Sequence, residues 1–457
     1  MRMGIAASSA FHQRAAVKRF PLLLTIALSL AARGVAETVK DREGAVRKDR
    51  AAVENDARWI YNDWQRGFAE AKRTGKPLLI VLRCVPCVAC MRIDAQVLLQ
   101  ESDVAPLLEQ FVCVRLINAN ALDLSLFQFD YDLSFSTLFF NGDGTVYGRY
   151  GSWIHQKNPQ EEATASYWRA LEAALAIHRE YPANRAALAG KQGGPVPFKT
   201  PLEIPMLAGK YPSSLDWEGK VVQSCVHCHQ IGDAFRASYR DQHQPIPPEL
   251  IFPMPAPETI GLTLMPDQAA RVEAVAADSI AARAGFLPGD EIASFAGQPP
   301  ISIADISWAL HRGPGSGSLE AVVMRGGVKK ALVLTLPAGW REKADISRRV
   351  GTWPMRAMAA GGLVLEDLAN DERGRRGLDA AQMALFVKGL GQYGLHAAAK
   401  NAGFQKEDVI VEIDGVTTRM TEGELIGYLL AKHLPGERVT AAVQRGTQRI
   451  ELSLPMQ

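Results

Sequence analysis

Hydrophobic positions along the chain follow two periods, and the switches between them mark elements. From Asn55, Trp59, Trp64, Phe68 and Ala71 fall on or near one helical face, and "TGKP" ends the run. The apolar stretch Leu78 to Leu82 predicts a buried strand, followed by the cysteine run "CVPCVAC". A helical stretch to about Gln100, a helix capped by Ser102 and running to Gln110, and a second strand "FVCVRL" come next. "STLFF", "NGDG" and "TVYGRY" predict a hairpin, because Asn-Gly and Asp-Gly supply the positive φ of a tight turn. A long helix from about Gln160 to Arg179 follows, with Trp168, Leu171 and Leu175 at helical spacing.

Beyond Pro182 the pattern breaks. "GKQGGPVPFKTPLEIP" and "HQPIPPELIFPMPAP" read as linkers by their glycines and prolines, and the segment between them is long enough for two helices. The second half is patterned again, and repeats. "AGFLPGDEIASFAGQPP" from Ala284 matches "AGFQKEDVIVEIDGVTT" from Ala402, and each copy runs 53 residues to the proline of a closing strand, Pro337 or Pro455. Equal intervals predict a tandem duplication.

The first 36 residues change the compartment expected for all of this. They carry Arg2, Arg14, Lys18, Arg19 and Arg33 with no acid, a 13-residue apolar run from Phe20 to Ala32, and small residues at Gly34-Val35-Ala36. Such a run suits a secretory signal and is short for a bilayer span. Cleavage is expected after Ala36, with an uncleaved anchor as the alternative and a periplasmic or other extracytoplasmic location. Its removal leaves 46 basic against 49 acidic residues, a balance that points to no nucleic-acid or membrane-surface partner. The remaining length and 47% hydrophobic content predict two to four domains.

Export permits oxidised cysteines, and the six present are unevenly placed. Cys84, Cys87, Cys90 and Cys113 lie in the first third, and Cys225 and Cys228 near the middle, so two chemical sites are expected rather than a spread of staples. The order of elements over residues 50–185, with cysteines at a strand-to-helix junction, resembles the thioredoxin fold. The resemblance assigns the CxxC to Cys87 and Cys90. A thiolate at a helix N-terminus gains from unpaired N–H groups and the dipole, so Cys87 is the expected nucleophile and Cys90 the resolving thiol, with Cys84 an additional sulfur upstream. Ser136 stands where thioredoxins carry a cis-proline. A redox dithiol, a structural disulfide and a metal or iron–sulfur site therefore all stay open. Cys113 alternates with Val112 and Val114 and reads as an inert buried thiol.

"QSCVHCHQIG" contains CxxCH, the attachment pattern of haem c: Cys225 and Cys228 for the thioethers and His229 as axial ligand to the iron. Met254 is the nearest downstream candidate for the distal position; His227 and His243 are weaker ones. A second dithiol or disulfide, and zinc, are the alternatives to covalent haem.

Each repeat copy resembles a bacterial PDZ domain, which binds a peptide C-terminus as an added strand with its carboxylate on a loop. In the first copy Ile260, Gly261 and Leu262 of "TIGL" match that loop; in the second, "RGLD" near Gly377 is the rough equivalent. Trp340 and Trp353 stay unassigned between the copies.

The whole arrangement resembles the bacterial thioredoxin-like/PDZ domain-containing (seleno)protein family, with sulfur at every cysteine position here. The expected fold class is multidomain α/β and α+β. It comprises a signal peptide (1–36), a thioredoxin-like α/β domain (50–185), a linker with a short helical CxxCH segment (186–257), a PDZ-like barrel or sandwich (258–340), an inter-domain segment (341–376) and a second PDZ-like unit (377–457). The resemblance implies a thiol-disulfide oxidoreductase that binds protein or peptide C-termini. The rival readings are a PDZ adaptor with structural disulfides and a haem electron carrier on an inert thioredoxin scaffold.

Overall fold

The computed structural model describes residues 41–85, 104–133, 135–151, 163–266, 268, 270–347 and 349–457, all within one compact unit of the chain. The expected signal peptide and the pair Cys87 and Cys90 lie outside the described residues. No described helix is long and apolar enough to cross a membrane.

The first sheet has the order β1-β3-β2-β4-β5, built from β1 (Trp59–Tyr61), β2 (Leu78–Arg83), β3 (Val112–Leu116), β4 (Phe135–Phe140) and β5 (Val146–Tyr150). The first three strands are parallel and β4 and β5 run antiparallel to them. β2 is buried at all six positions because apolar layers cover both faces, which is why it reads as an unbroken apolar run. A helix absent from the sequence reading, α1 (Arg42–Glu54), precedes the sheet and is tied to it by buried Arg115, whose guanidinium grips Asp49. Helix α2 (Trp64–Thr74) is capped by Asp63 and stopped by Gly75 in the left-handed region. Trp59 is thus in a strand and not on the helix that its spacing suggested; it is buried beside Leu79 and Cys113 in the face opposite α2. The expected helix ending at Gln110 shrinks to a single turn, Ala105–Leu108. The expected long helix is α3 (Ala163–Glu180), which buries Leu171 and Leu175 against the sheet.

The stretches that read as linkers are packed straps on either side of helix α4 (Cys228–Asp241). Lys191 is fully buried and pairs at 2.6 Å with Asp305 on helix α5 (Ile303–Arg312), whose N-cap is Ser302. Asp305 also accepts from the Arg149 and Ile301 N–H groups, and the Arg149 guanidinium lies 3.6 Å from the centre of the Trp308 ring. Trp308 Nε1 donates to Gly190 O at 2.9 Å. This knot welds β5 of the first sheet to the second half, and proline and glycine content did not reveal it. The second strap buries Ile246, Ile251, Phe252 and Met254.

The second half holds two units with the same plan. The first has a two-stranded sheet, β6 (Leu262–Leu264) with β7 (Val272–Val275), and a three-stranded sheet of β8 (Glu291–Phe295), β9 (Gly317–Arg325) and β10 (Val328–Leu336). The second is one open sheet of β11 (Leu363–Asp367), β12 (Leu385–Leu390), β13 (Val409–Ile413), β14 (Arg438–Arg445) and β15 (Gln448–Pro455), preceded by helix α6 (Thr352–Ala360) and packed on helix α7 (Glu422–Lys432). Neither closes into the expected barrel: β6 spans only three residues, a lone bridge from Arg271 to Glu291 joins its sheet to the next, and β11 and β15 remain edges. The second unit also starts earlier than 377, because β11 falls in the stretch left unassigned between the copies. One clamp recurs in both. Arg325 holds Asp290 at 2.7 and 2.8 Å and reaches Gly285 O, while Arg445 holds Asp408 at 2.7 and 2.8 Å and reaches Gly403 O.

Two outcomes are expected in urea unfolding. Asp305→Ala leaves the Lys191 ammonium and the Arg149 and Ile301 N–H groups buried and unpaired, costing about 3–5 kcal/mol, and adding Lys191→Met recovers only the ammonium's share; a single-variant cost under about 1 kcal/mol contradicts the weld. Glu407 has φ 77° where the first copy has Gly289 at φ 89°. Glu407→Gly should therefore raise stability by about 1 kcal/mol, and no gain contradicts the strain.

Candidate thiol site and peptide-binding edge

β2 ends at Arg83, so Cys84 is delivered to the carboxyl end of the parallel strands, with its carbonyl held by the Arg83 guanidinium. The Cys225–His229 stretch comes to the same place. Val226 O accepts from Ala119 N–H at 2.9 Å, and Val226 N–H donates to Asn120 Oδ1 at 2.8 Å. The Asn120 amide donates to Ser224 O at 2.8 Å and Pro212 O at 2.7 Å. Asn120 is fully buried, and through these bonds a loop that is remote in sequence lies against the end of β3. Sequence reading missed Asn120; the signal was a polar residue in "INANAL" directly after an apolar strand.

Cys84 Sγ stands 3.6 Å from His227 Nδ1. Cys228 opens α4, and Gln230 fixes the helix start by accepting from His227 N–H at 2.8 Å. Cys225 is 7% exposed among Val46, Ile117, Leu215, Val221 and Val222, and its thiol donates to Ile117 O at 3.5 Å. Burial, reinforced by Cys84 and Cys228, pushes the Cys225 thiol well above its ordinary value. Burial, with Cys84 next, pushes Cys228 up to about 12. Burial, with His229 next, takes His227 down to about 4, so its imidazole is neutral at neutral pH. Neither Cys225 nor Cys228 is in a disulfide. Cys113 is the inert thiol expected, bonded to Leu108 O at 3.4 Å and pushed up to about 12 by burial.

Haem c would need both sulfurs and His229 on one face open enough for a porphyrin. Cys225 instead faces a small cavity lined by Val46 of α1, Ile117, Leu215, Val221 and Val222. His229 is half-exposed with Nδ1 turned to Asp233 at 3.6 Å. Met254 is buried and lines a different cleft. Cys225, closed in by apolar side chains, is not presented to a porphyrin in this arrangement, whereas His229 with Nδ1 against Asp233 keeps Nε2 available. Among the described residues no group of three or more His, Cys, Asp or Glu is arranged to hold a metal ion.

That different cleft lies between the first sheet and the first repeat unit. Ser136, Thr137 and Arg149 line one side and Ile303, Ala304 and Ser307 the other, with Met254 and Glu258 at the strap. Ser136 pairs with Leu82 in the register and sits one pair from the end of β2.

Ile260 and Leu262 are core residues of the first unit, and Gly261 between them has φ 85° and donates to Glu258 O at 2.9 Å. A Cβ there would meet the Ser279 side chain at 2.1 Å. Of the two edges of β6, β7 fills one, and among the described strands none pairs with the other. In the second unit the matching position is Gly361-Gly362 before β11, both left-handed, and not "RGLD", which lies in the turn after a short helix, Asn370–Arg375. There the Leu365 N–H is already taken by Glu422 at 2.8 Å, whose carboxylate is held by Arg356 on α6. Trp340 is a core residue bonded to Pro314 O, and Trp353 is exposed, stacked 4.2 Å from His396.

Residues 59–142 match the model of a thioredoxin-like family, and residues 271–325 match that of the PDZ domain. The chain therefore contains a thioredoxin-like domain and a PDZ domain. No curated protein matches it. Similar solved structures include an aminopeptidase N family protein from Idiomarina loihiensis, at 24% identity over 21% of this chain and 13% of that one, with a TM-score of 0.16. The HtrA-type protease AlgW with a decapeptide is 16% identical over 30% of this chain and 47% of that one, with a TM-score of 0.20. The same protease with a tripeptide is 18% identical over 29% and 41%, with a TM-score of 0.19. The chain spans less than half the length of each.

Replacing Asn120 by Ala should leave Val226 N–H and two carbonyls without partners, at about 1–3 kcal/mol for each group left unpaired. Native-state alkylation of Cys225 is the sharper readout. It should be slow in the parent protein and at least about tenfold faster in Asn120→Ala, since both burial and the raised pKa suppress the thiolate. Equal rates would show that the loop docks without this latch.

Proposed function

We propose that the chain is an exported thiol-disulfide oxidoreductase in which Cys87 attacks a partner's disulfide, Cys90 resolves the mixed disulfide, and the PDZ domain holds the partner's C-terminus nearby. The observation that carries this reading is the cleft, because one wall belongs to β4 of the thioredoxin-like sheet and the other to α5 of the PDZ domain. A peptide would add at the free edge of β6, and tethering would raise the concentration of its disulfide near the thioredoxin-like sheet. The second repeat unit is read as PDZ-like in plan, with its edge donor satisfied internally by Glu422, and so as a structural unit rather than a second binding site.

The test uses the full mature chain and a synthetic peptide disulfide. In a Cys84→Ser protein, reduction of the peptide should be lost on adding Cys87→Ser/Cys90→Ser. In the parent protein, amidating the peptide's C-terminus should raise KM about tenfold, or about 1.4 kcal/mol, with kcat little changed. Full reduction by that triple variant would contradict the assignment of the dithiol. No reduction by the parent protein, with C-terminal peptide binding intact, would favour the adaptor reading.

A further inference from the structure

The two cysteine clusters lie far apart in sequence, yet Cys84 of the first touches His227 of the second at 3.6 Å across a separation of 143 positions. His227 is flanked in sequence by the only two cysteines of that loop. Val85, next to Cys84, packs in the same apolar cluster as Cys225. The thioredoxin-like reading uses neither Cys225 nor Cys228, and the haem reading leaves Cys84 without a role. A CxxC pair whose second member opens a 14-residue helix is built for a short-range disulfide, with the helix N-terminus beside the sulfur.

We propose that Cys84, His227, Cys225 and Cys228 form a second thiol site, in which the Cys225/Cys228 pair supplies electrons through Cys84 to a peptide disulfide. Cys84 Sγ, beside His227 Nδ1 at 3.6 Å, attacks one sulfur of the peptide disulfide, and its proton passes to the peptide thiolate released. Cys228 then attacks Cys84 Sγ, forming a Cys84–Cys228 disulfide and releasing the second peptide thiolate. Cys225 attacks Cys228 Sγ, which leaves a Cys225–Cys228 disulfide and returns the Cys84 thiol. Two electrons pass from the pair to the peptide, and the two thiol protons end on the two peptide thiols. An external dithiol restores the pair. Cys84 is partly exposed and Cys225 is buried, so an external disulfide meets Cys84 first and electrons pass outward from the pair.

This inference rests on the reading of the chain as a thiol-disulfide protein, and it is tested where that reading's own dithiol is absent. Full-length Cys87→Ser/Cys90→Ser protein is reacted with oxidised glutathione, quenched by alkylation and mapped by mass spectrometry. It should accumulate a Cys225–Cys228 disulfide. Adding Cys225→Ser should trap a Cys84–Cys228 cross-link, formed at least about tenfold faster in the folded chain than in urea because positioned thiols act at effective concentrations near millimolar. Cys225→Ala carries the same prediction if the serine variant does not fold. Glutathione retained on Cys84 while Cys228 remains alkylatable would overturn the proposal. If that happens while the parent protein still reduces peptides, the Cys87/Cys90 reading survives alone. If the cross-link forms and a Cys84→Ser protein with Cys87 and Cys90 intact reduces nothing, the relay stands and that reading falls.

Discussion

A buried amide brings the two cysteine-bearing segments together. Asn120 has no access to water, and its side chain bonds to the backbone on both sides of Cys225, at Val226 N–H and Ser224 O, and to Pro212 O. A buried polar group must be paired, so the loop can leave only by abandoning both of its bonds at once. The position of Cys225, the reach of His227 to Cys84 and the start of α4 all follow from that single docking. Helix α1 completes it from outside: Arg47 donates to Trp217 O and Gly219 O, and Glu43 accepts from Val222 N–H.

The same logic repeats at larger scale. The knot of Lys191, Asp305, Arg149 and Trp308 fixes the PDZ domain against β5, which leaves a cleft between the thioredoxin-like sheet and α5. Buried ion pairs add little net stability compared with apolar packing, but they penalise every alternative arrangement, and orientation is what this architecture requires. In the second repeat unit Glu422 and Arg356 do the reverse job, closing an edge that the first unit leaves open.

Period and punctuation made much of the scaffold legible. The apolar run at β2, the hairpin turn at Asn141 to Gly144, the capping serine and threonine of α5 and α7 and the duplicated Asp290 and Asp408 are all local signals, set by residues near one another in sequence. Trp59 misled because a large aromatic suits a strand and a helix equally, and only the sheet partner at Cys113 decides. The straps misled because proline and glycine report backbone freedom and say nothing about what a buried Lys191 meets 114 residues away. For the site, residue types were legible and their meeting was not: CxxCH read as haem attachment from spacing alone, while the contact with Cys84 depends on Asn120, which no motif marks.

The account stands most directly on the chemical state of Cys225 and Cys228 in protein purified from its native cells. Intact mass and a visible spectrum, followed by peptide mapping, should show no porphyrin and a Cys225/Cys228 pair that shifts between dithiol and disulfide with the applied redox buffer. A Soret band that survives denaturation, with one haem's mass on the peptide carrying both cysteines, would contradict it.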